Sequence, residues 1–166
     1  MAPQPVKGVD MAKLYTGRWY EIGRAPMHLT DGCVAGTTDY FANAKGQLME
    51  RDACRMGTPA GKERGYQGTV AILDPGPDSK ILVRYKVMWG LLTVPYTYWI
   101  LDHGDDYRWF IVANPQMTLL SLFTRTPDPS AAEVAMLTAR ARALGYEGKL
   151  EYPARFPAGS ALATSP

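Results

Sequence analysis

The sequence has only two cysteines, two histidines and four phenylalanines among 166 residues, and its 18 Lys+Arg barely exceed its 16 Asp+Glu. A net charge of +2 with scattered basic residues lacks the concentrated positive patch that nucleic-acid binding needs. No apolar run approaches the roughly 20 residues of a membrane-spanning helix. No internal repeat at a solenoid or propeller period is present. The sequence also shows no metal-ligand spacing and no carboxylate pair, and neither histidine lies near a Ser or Cys nucleophile, which argues against an enzyme. The start, Met1-Ala2-Pro3-Gln4-Pro5, lacks the charged and apolar segments of an export signal. Either the protein is cytosolic, or a signal was removed and a start Met restored.

What is plentiful suits strands and turns: 10 Tyr, 4 Trp, 16 Gly and 13 Pro. Aromatic residues favour pleated, half-buried surfaces, while Gly and Pro punctuate turns. Short strand candidates fall at about 17–26, 34–42, 47–56, 64–73, 80–87, 96–102, 107–114 and 119–125. Turn signals such as Asp31-Gly32, Asn43-Ala44-Lys45-Gly46 and Asp74-Pro75-Gly76-Pro77 separate them. The spacing predicts an all-β meander of hairpins, and eight antiparallel strands commonly close into a barrel that leaves no edge. Residues 1–8 read as a flexible lead-in, 9–156 as the barrel domain and 157–166 as a flexible tail.

One segment departs from this pattern. Ser130-Ala131-Ala132-Glu133 has capping-box spacing, Val134, Leu137, Ala141 and Leu144 recur at helical intervals, and Gly145 offers a left-handed stop. A helix over about 130–144 follows, with one apolar stripe that must lie on the outer barrel wall.

Alternation assigns side chains to faces. Ile81, Val83 and Tyr85 share one face of the fifth strand; Tyr96, Tyr98 and Ile100 share one of the sixth. Tyr107, Trp109, Ile111 and Ala113 share one of the seventh. These faces are expected to point inward. An interior of eight strands is either filled by side chains or wide enough for one small ligand, and parity leaves both open.

The segment Gly17-Arg18-Trp19-Tyr20-Glu21 resembles the opening motif of lipocalins, in the form found in their bacterial and plant branch. Two further matches follow in order: Tyr98-Trp99-Ile100-Leu101-Asp102 with Asp106-Tyr107-Arg108-Trp109, then Leu122-Phe123-Thr124-Arg125-Thr126-Pro127. Together they cover nearly all of residues 9–145. The resemblance implies an eight-stranded up-and-down antiparallel β-barrel with one C-terminal α-helix packed outside. It makes Gly17, Trp19 and Arg125 a structural signature, with Arg125 packed across Trp19 at the closed end. It also tips the interior towards a cavity that binds a small hydrophobic ligand such as a fatty acid or lysophospholipid. Strand parity gives Tyr40, Val83, Tyr85, Tyr98, Trp109 and Ile111 as its lining, with Tyr96, Tyr98 or Arg84 orienting a head group near the rim. The alternatives are a carrier of carotenoid, retinoid or haem, with His28 near the open end, and a lipocalin-type isomerase or synthase. No cofactor and no metal are expected.

Cys33 and Cys54 flank the second hairpin and would face each other at the mouth after one step of bulge. Bacterial lipocalins often carry a similar pair. A disulfide there would favour the periplasm, and many bacterial members are anchored at the outer membrane; two free thiols are the alternative. Finally, residues 86–95 look like an overlong connection at the mouth. Met88, Trp89, Leu91, Leu92 and Val94 are too apolar for an ordinary loop. They are expected to form a lid, a membrane contact or a dimer contact, or simply to extend the hairpin.

Overall fold

The computed structural model describes residues 1–159, and the chain reverses where its turn residues fall. A single-turn helix, α1 (Met11–Leu14), precedes the strands β1 (Gly17–Arg24), β2 (Cys33–Ala42), β3 (Leu48–Met56) and β4 (Glu63–Ile72). They are followed by β5 (Lys80–Val87), β6 (Leu92–His103), β7 (Trp109–Ala113) and β8 (Leu120–Thr124), and the helix α2 (Ala131–Ala143) closes the order. Each strand pairs antiparallel with the next, and β8 returns to β1, so the sheet is a closed barrel. Closure leaves no unpaired edge. The β2–β3 turn shows the local cause: Asn43 Oδ1 accepts from the backbone N–H groups of Lys45 and Gln47, and Gly46 takes φ +75°, a conformation that favours glycine.

Two buried clusters fill different places. One lies inside the barrel at its closed end, around Leu14, Trp19, Ile81, Val83, Ile100 and Phe110. The other lies outside, between the wall and α2, around Ile22, Leu101, Ile111, Leu122, Leu137 and Ala141. The helix starts on the predicted capping box, with Ser130 Oγ accepting from Glu133 N–H and the Glu133 carboxylate accepting from Ser130 N–H. Gly145 follows its end at φ +92°. Arg140 of α2 donates to the buried Asp102 carboxylate at 2.6 Å, pinning the helix to β6.

The barrel floor is sealed as the signature residues imply. Trp19 is fully buried, meets Phe110 edge-on at 4.8 Å, and donates from Nε1 to Leu14 O. The Arg125 guanidinium lies 3.6 Å from the Trp19 ring centroid and donates to the carbonyls of Lys13, Thr16 and Arg18. It thereby ties α1, β1 and the end of β8 together.

Residues 1–8 are a strap along the outer wall: Ala2 N–H donates to Pro115 O, Val6 N–H to Leu101 O, and His103 Nε2 lies 2.8 Å from Gly8 O. Residues 86–95 are mostly strand, because β5 and β6 run on to a four-residue turn at 88–91 with Val87 paired to Leu92; the hairpin is simply long. Of the C-terminal tail, residues 160–166 lie outside the described residues, while 157–159 include a turn.

Candidate functional site

Above the floor the barrel holds a cavity of about 410 Å³, within the range of small-molecule sites. Its mouth is framed by Met27 and Leu29 after β1, by Cys33 and Cys54, by Arg64, and by Val87 and Met88 of the β5–β6 hairpin. Cys33 and Cys54 are joined in a disulfide, with Cα atoms 5.5 Å apart. The register shift between Val34 and Thr37 brings them together, as a bulge does when one strand carries extra residues.

The walls are largely aromatic. Tyr96 and Tyr98 stack at 6.1 Å, Tyr85 meets Tyr96 edge-on at 5.8 Å, and Phe110 stacks on Phe123 at 4.8 Å. Into this wall β3 projects two carboxylates, Glu50 and Asp52, which alternation places on one face. Glu50 is buried to 3 % exposure. The Tyr85 hydroxyl lies 2.5 Å from Glu50 Oε1 and 2.6 Å from Asp52 Oδ2, and Thr38 Oγ1 donates to Asp52 Oδ1 at 2.5 Å. Tyr85 stands two strands away from Glu50, with Gly68 of β4 in register between them. Strands lie about 4.8 Å apart, so the tyrosine reaches across a position that has no side chain.

This arrangement holds one shared proton. The Tyr85 hydroxyl has a single hydrogen and can donate to only one of the two carboxylates at a time. Burial, reinforced by the Asp52 charge, pushes the Glu50 carboxyl up to about 8; burial also raises Asp52, whose bonds from Thr38 and Tyr85 oppose the shift. Near neutral pH the two carboxyls, which titrate as a unit, therefore hold a proton between them rather than both being ionised. The pair can donate one hydrogen bond and attract one cation.

Nearer the mouth, Arg24 is buried but fully occupied. It donates to Glu21 at 2.9 Å, to Glu151 at 2.7 Å, and to the carbonyls of Thr30 and Cys33. Glu21 also accepts from Ser121 Oγ. This network locks the mouth strands to the C-terminal segment.

Of the residues predicted to line the cavity, Tyr40, Tyr85 and Tyr98 do so. Val83 points inward but lies within the closed-end core. Trp109 and Ile111 point outward and pack in the cluster under α2; Phe110 and Val112 are the inward residues of β7. The parity of β7 was misassigned because both of its faces are buried, so hydrophobicity does not distinguish them. Tyr107 lies before the strand, with φ +53°. Arg84 is exposed on the outside and takes no part in the rim. The histidines are also elsewhere: His28 is exposed, and both ring nitrogens of His103 face carbonyls of Gly8 and Gly104 at 2.8 Å. Glu50 and Asp52 were missed, since charged residues on a strand are ordinarily read as its outer face. Their shared parity with Cys54, which faces the mouth, was the available signal.

A closed eight-stranded cup, sealed by a Trp–Arg pair at one end and open at the other over a cavity of small-molecule size, defines a calyx protein. The chain belongs to the lipocalin-like family, whose profile, described as a lipocalin-like domain, matches residues 9–155. It is similar to temperature-induced lipocalin-1 of Arabidopsis thaliana, at 28 % identity over 147 residues, covering 86 % of this chain and 76 % of the relative. Among solved structures it resembles insecticyanin from the tobacco hornworm Manduca sexta, with TM-score 0.66 and 16 % identity over 92 % of this chain and 85 % of the other. It also resembles the amine-binding protein of Rhodnius prolixus, solved as its tryptamine complex, with TM-score 0.65 and 15 % identity over 92 % and 84 % of the two chains. At such identities these structures share the fold.

Proposed function

We propose that this protein reversibly binds and carries a small, largely apolar molecule in the barrel cavity, and that it works by binding rather than catalysis. The observation that carries the proposal is the aromatic cavity of about 410 Å³ above a sealed floor. Apolar burial of about 25 cal/mol per Å² would supply most of the affinity. That a fold relative is named for binding amines supports a small-molecule ligand. Fatty acids and lysophospholipids remain the lipid form of this reading. A haem carrier has less support, since neither histidine lines the cavity among the described residues. Titration with the neutral fluorophore N-phenyl-1-naphthylamine tests the proposal. Saturable one-to-one enhancement, abolished by the cavity-filling Val112→Trp, is expected; no saturable signal in the wild type would refute it.

A second reading concerns the mouth. Met88, Trp89, Leu91 and Leu92 project from the β5–β6 hairpin tip, with Trp89 97 % and Leu91 78 % exposed. Met88 and Trp89 hold φ +50° and +55°, unusual for bulky residues. Exposed Lys86 flanks the tip, matching an anionic lipid surface. We infer that the tip touches a membrane surface with the cavity mouth beside it. Trp89→Ser should lose co-sedimentation with phosphatidylglycerol vesicles without a change in folding. A concentration-dependent dimer abolished by the same substitution would instead assign the tip to self-association. We further propose, on the disulfide, an oxidising compartment such as the periplasm or the outer-membrane surface, and a place in the bacterial branch. Fractionation of cells expressing the natural gene would test the location.

A further inference from the structure

Among the described residues, other carboxylates that are buried or half-buried at the barrel wall have arginine partners: Asp39 has Arg18, Glu21 has Arg24, and Asp102 has Arg140. Glu50 and Asp52 differ. Neither has a basic side chain within 4.0 Å, and their hydrogen bonds come from hydroxyl groups of Thr38 and Tyr85. An acidic pair placed in a largely apolar cavity without a counter-charge is costly unless something else supplies the charge. The two arginines that line the cavity do not supply it. Arg24 donates to two carboxylates and two carbonyls, and Arg64 at the mouth is turned to the Tyr66 hydroxyl at 2.8 Å.

The groups that face the acidic pair are all neutral or acidic. Tyr40 stands opposite from β2, Tyr66 from β4, Tyr85 from β5, and Tyr96 and Tyr98 from β6. Glu21 of β1 lies across the cavity paired with Arg24, so the two add no net charge, and Tyr15 closes on Tyr40 from below at 5.3 Å. The potential at this end of the cavity is therefore negative, and its walls are tyrosine rings. Negative ring faces attract cations.

Building on the cavity-binding reading above, we propose that the Glu50–Asp52 end of the cavity recognises the ammonium group of an organic cation, with an apolar or aromatic body lying toward the mouth. Asp52 supplies the ion pair, Glu50 a second oxygen, and the rings of Tyr85, Tyr96 and Tyr98 the cation–π walls. A ligand of this kind enters ammonium first. A carboxylate in the same place would meet like charge, and neither arginine of the cavity lining forms an ion pair with Glu50 or Asp52.

Three compounds with one body and different ends test this: 4-phenylbutylamine, 4-phenylbutanol and 4-phenylbutyrate, titrated calorimetrically into the intact protein. Hydrogen bonds involving a charged group are worth enough that the amine should bind on the order of 10-fold or more tighter than the alcohol, with the acid weakest. In Asp52→Asn that preference should collapse while affinity for the alcohol is retained. Equal or weaker binding of the amine than the alcohol in the wild type would overturn the ammonium site and leave the cavity reading standing. Binding of none of the three, with N-phenyl-1-naphthylamine also failing to bind, would overturn both. Should Asp52→Asn fail to fold, the wild-type order of the three affinities decides by itself.

Discussion

Glu50 is the residue at which chemistry and stability meet most directly. Its carboxyl is raised to about 8 by burial and by Asp52, whereas in the unfolded chain it titrates near 4.3. The folded state therefore binds the proton more tightly, and the stabilisation it gives is full below the unfolded value and lost as pH rises through the folded one. Asp52 and Glu21 are shifted in the same direction. Unfolding free energy of the ligand-free protein is thus expected to fall between about pH 4.5 and 8, and Glu50→Gln should flatten part of that slope in urea titrations run across the range. A pH-independent difference between the two proteins would contradict the assignment. At the floor, Arg125→Met removes a cation–π contact and three hydrogen bonds to carbonyls. A loss of about 2 kcal/mol by urea denaturation is expected.

Among the elements, β4 shows how an absent side chain builds the site. Gly68 sits between Glu50 and Tyr85, and a Cβ there would come within 2.3 Å of Arg84 O. Gly68→Ala should both destabilise the β4–β5 pairing and separate Tyr85 from Glu50. The amine preference should weaken even where the protein still folds, as read by calorimetry beside thermal melting. The disulfide works at the opposite end of β3. Closing a loop of sequence separation 21, it should contribute about 3 kcal/mol by the chain-entropy account. Cys33→Ala/Cys54→Ala should lower the urea midpoint accordingly and loosen the mouth more than the floor, which hydrogen exchange would resolve.

For the whole molecule, the cup divides the labour between its two ends. The floor is packed and fixed by Trp19, Phe110 and Arg125, while the mouth is lined by a disulfide, an occupied arginine network and an apolar hairpin tip. Ligand bound between them is linked to folding: at a concentration 100 times its Kd it should stabilise the native state by about 2.7 kcal/mol. A rise in melting temperature with 4-phenylbutylamine, absent with 4-phenylbutyrate, would show that linkage at the level of the intact fold. The strap of residues 1–8 and the segment 146–156 add to the outer wall, so the barrel is covered on the side of α2 and open at its mouth.

The sequence by itself determined the eight strands and the capped helix, because each follows from a local pattern: turn residues between apolar runs, and a capping box; the Trp19–Arg125 floor was legible only through the resemblance to lipocalins. The sequence also placed Tyr40, Tyr85 and Tyr98 on inward faces by strand parity, most plainly on β5, where burial alternates residue by residue. Only the tertiary structure decided which way β7 faces, because α2 buries the outer side of Trp109 and Ile111 as fully as the barrel buries Phe110 and Val112. Only it brought Glu50 and Asp52 inside, under one tyrosine hydroxyl that reaches across a glycine. Burial of a charge depends on strands far apart in the chain; within β3 only the parity that Glu50 and Asp52 share with Cys54 points to it.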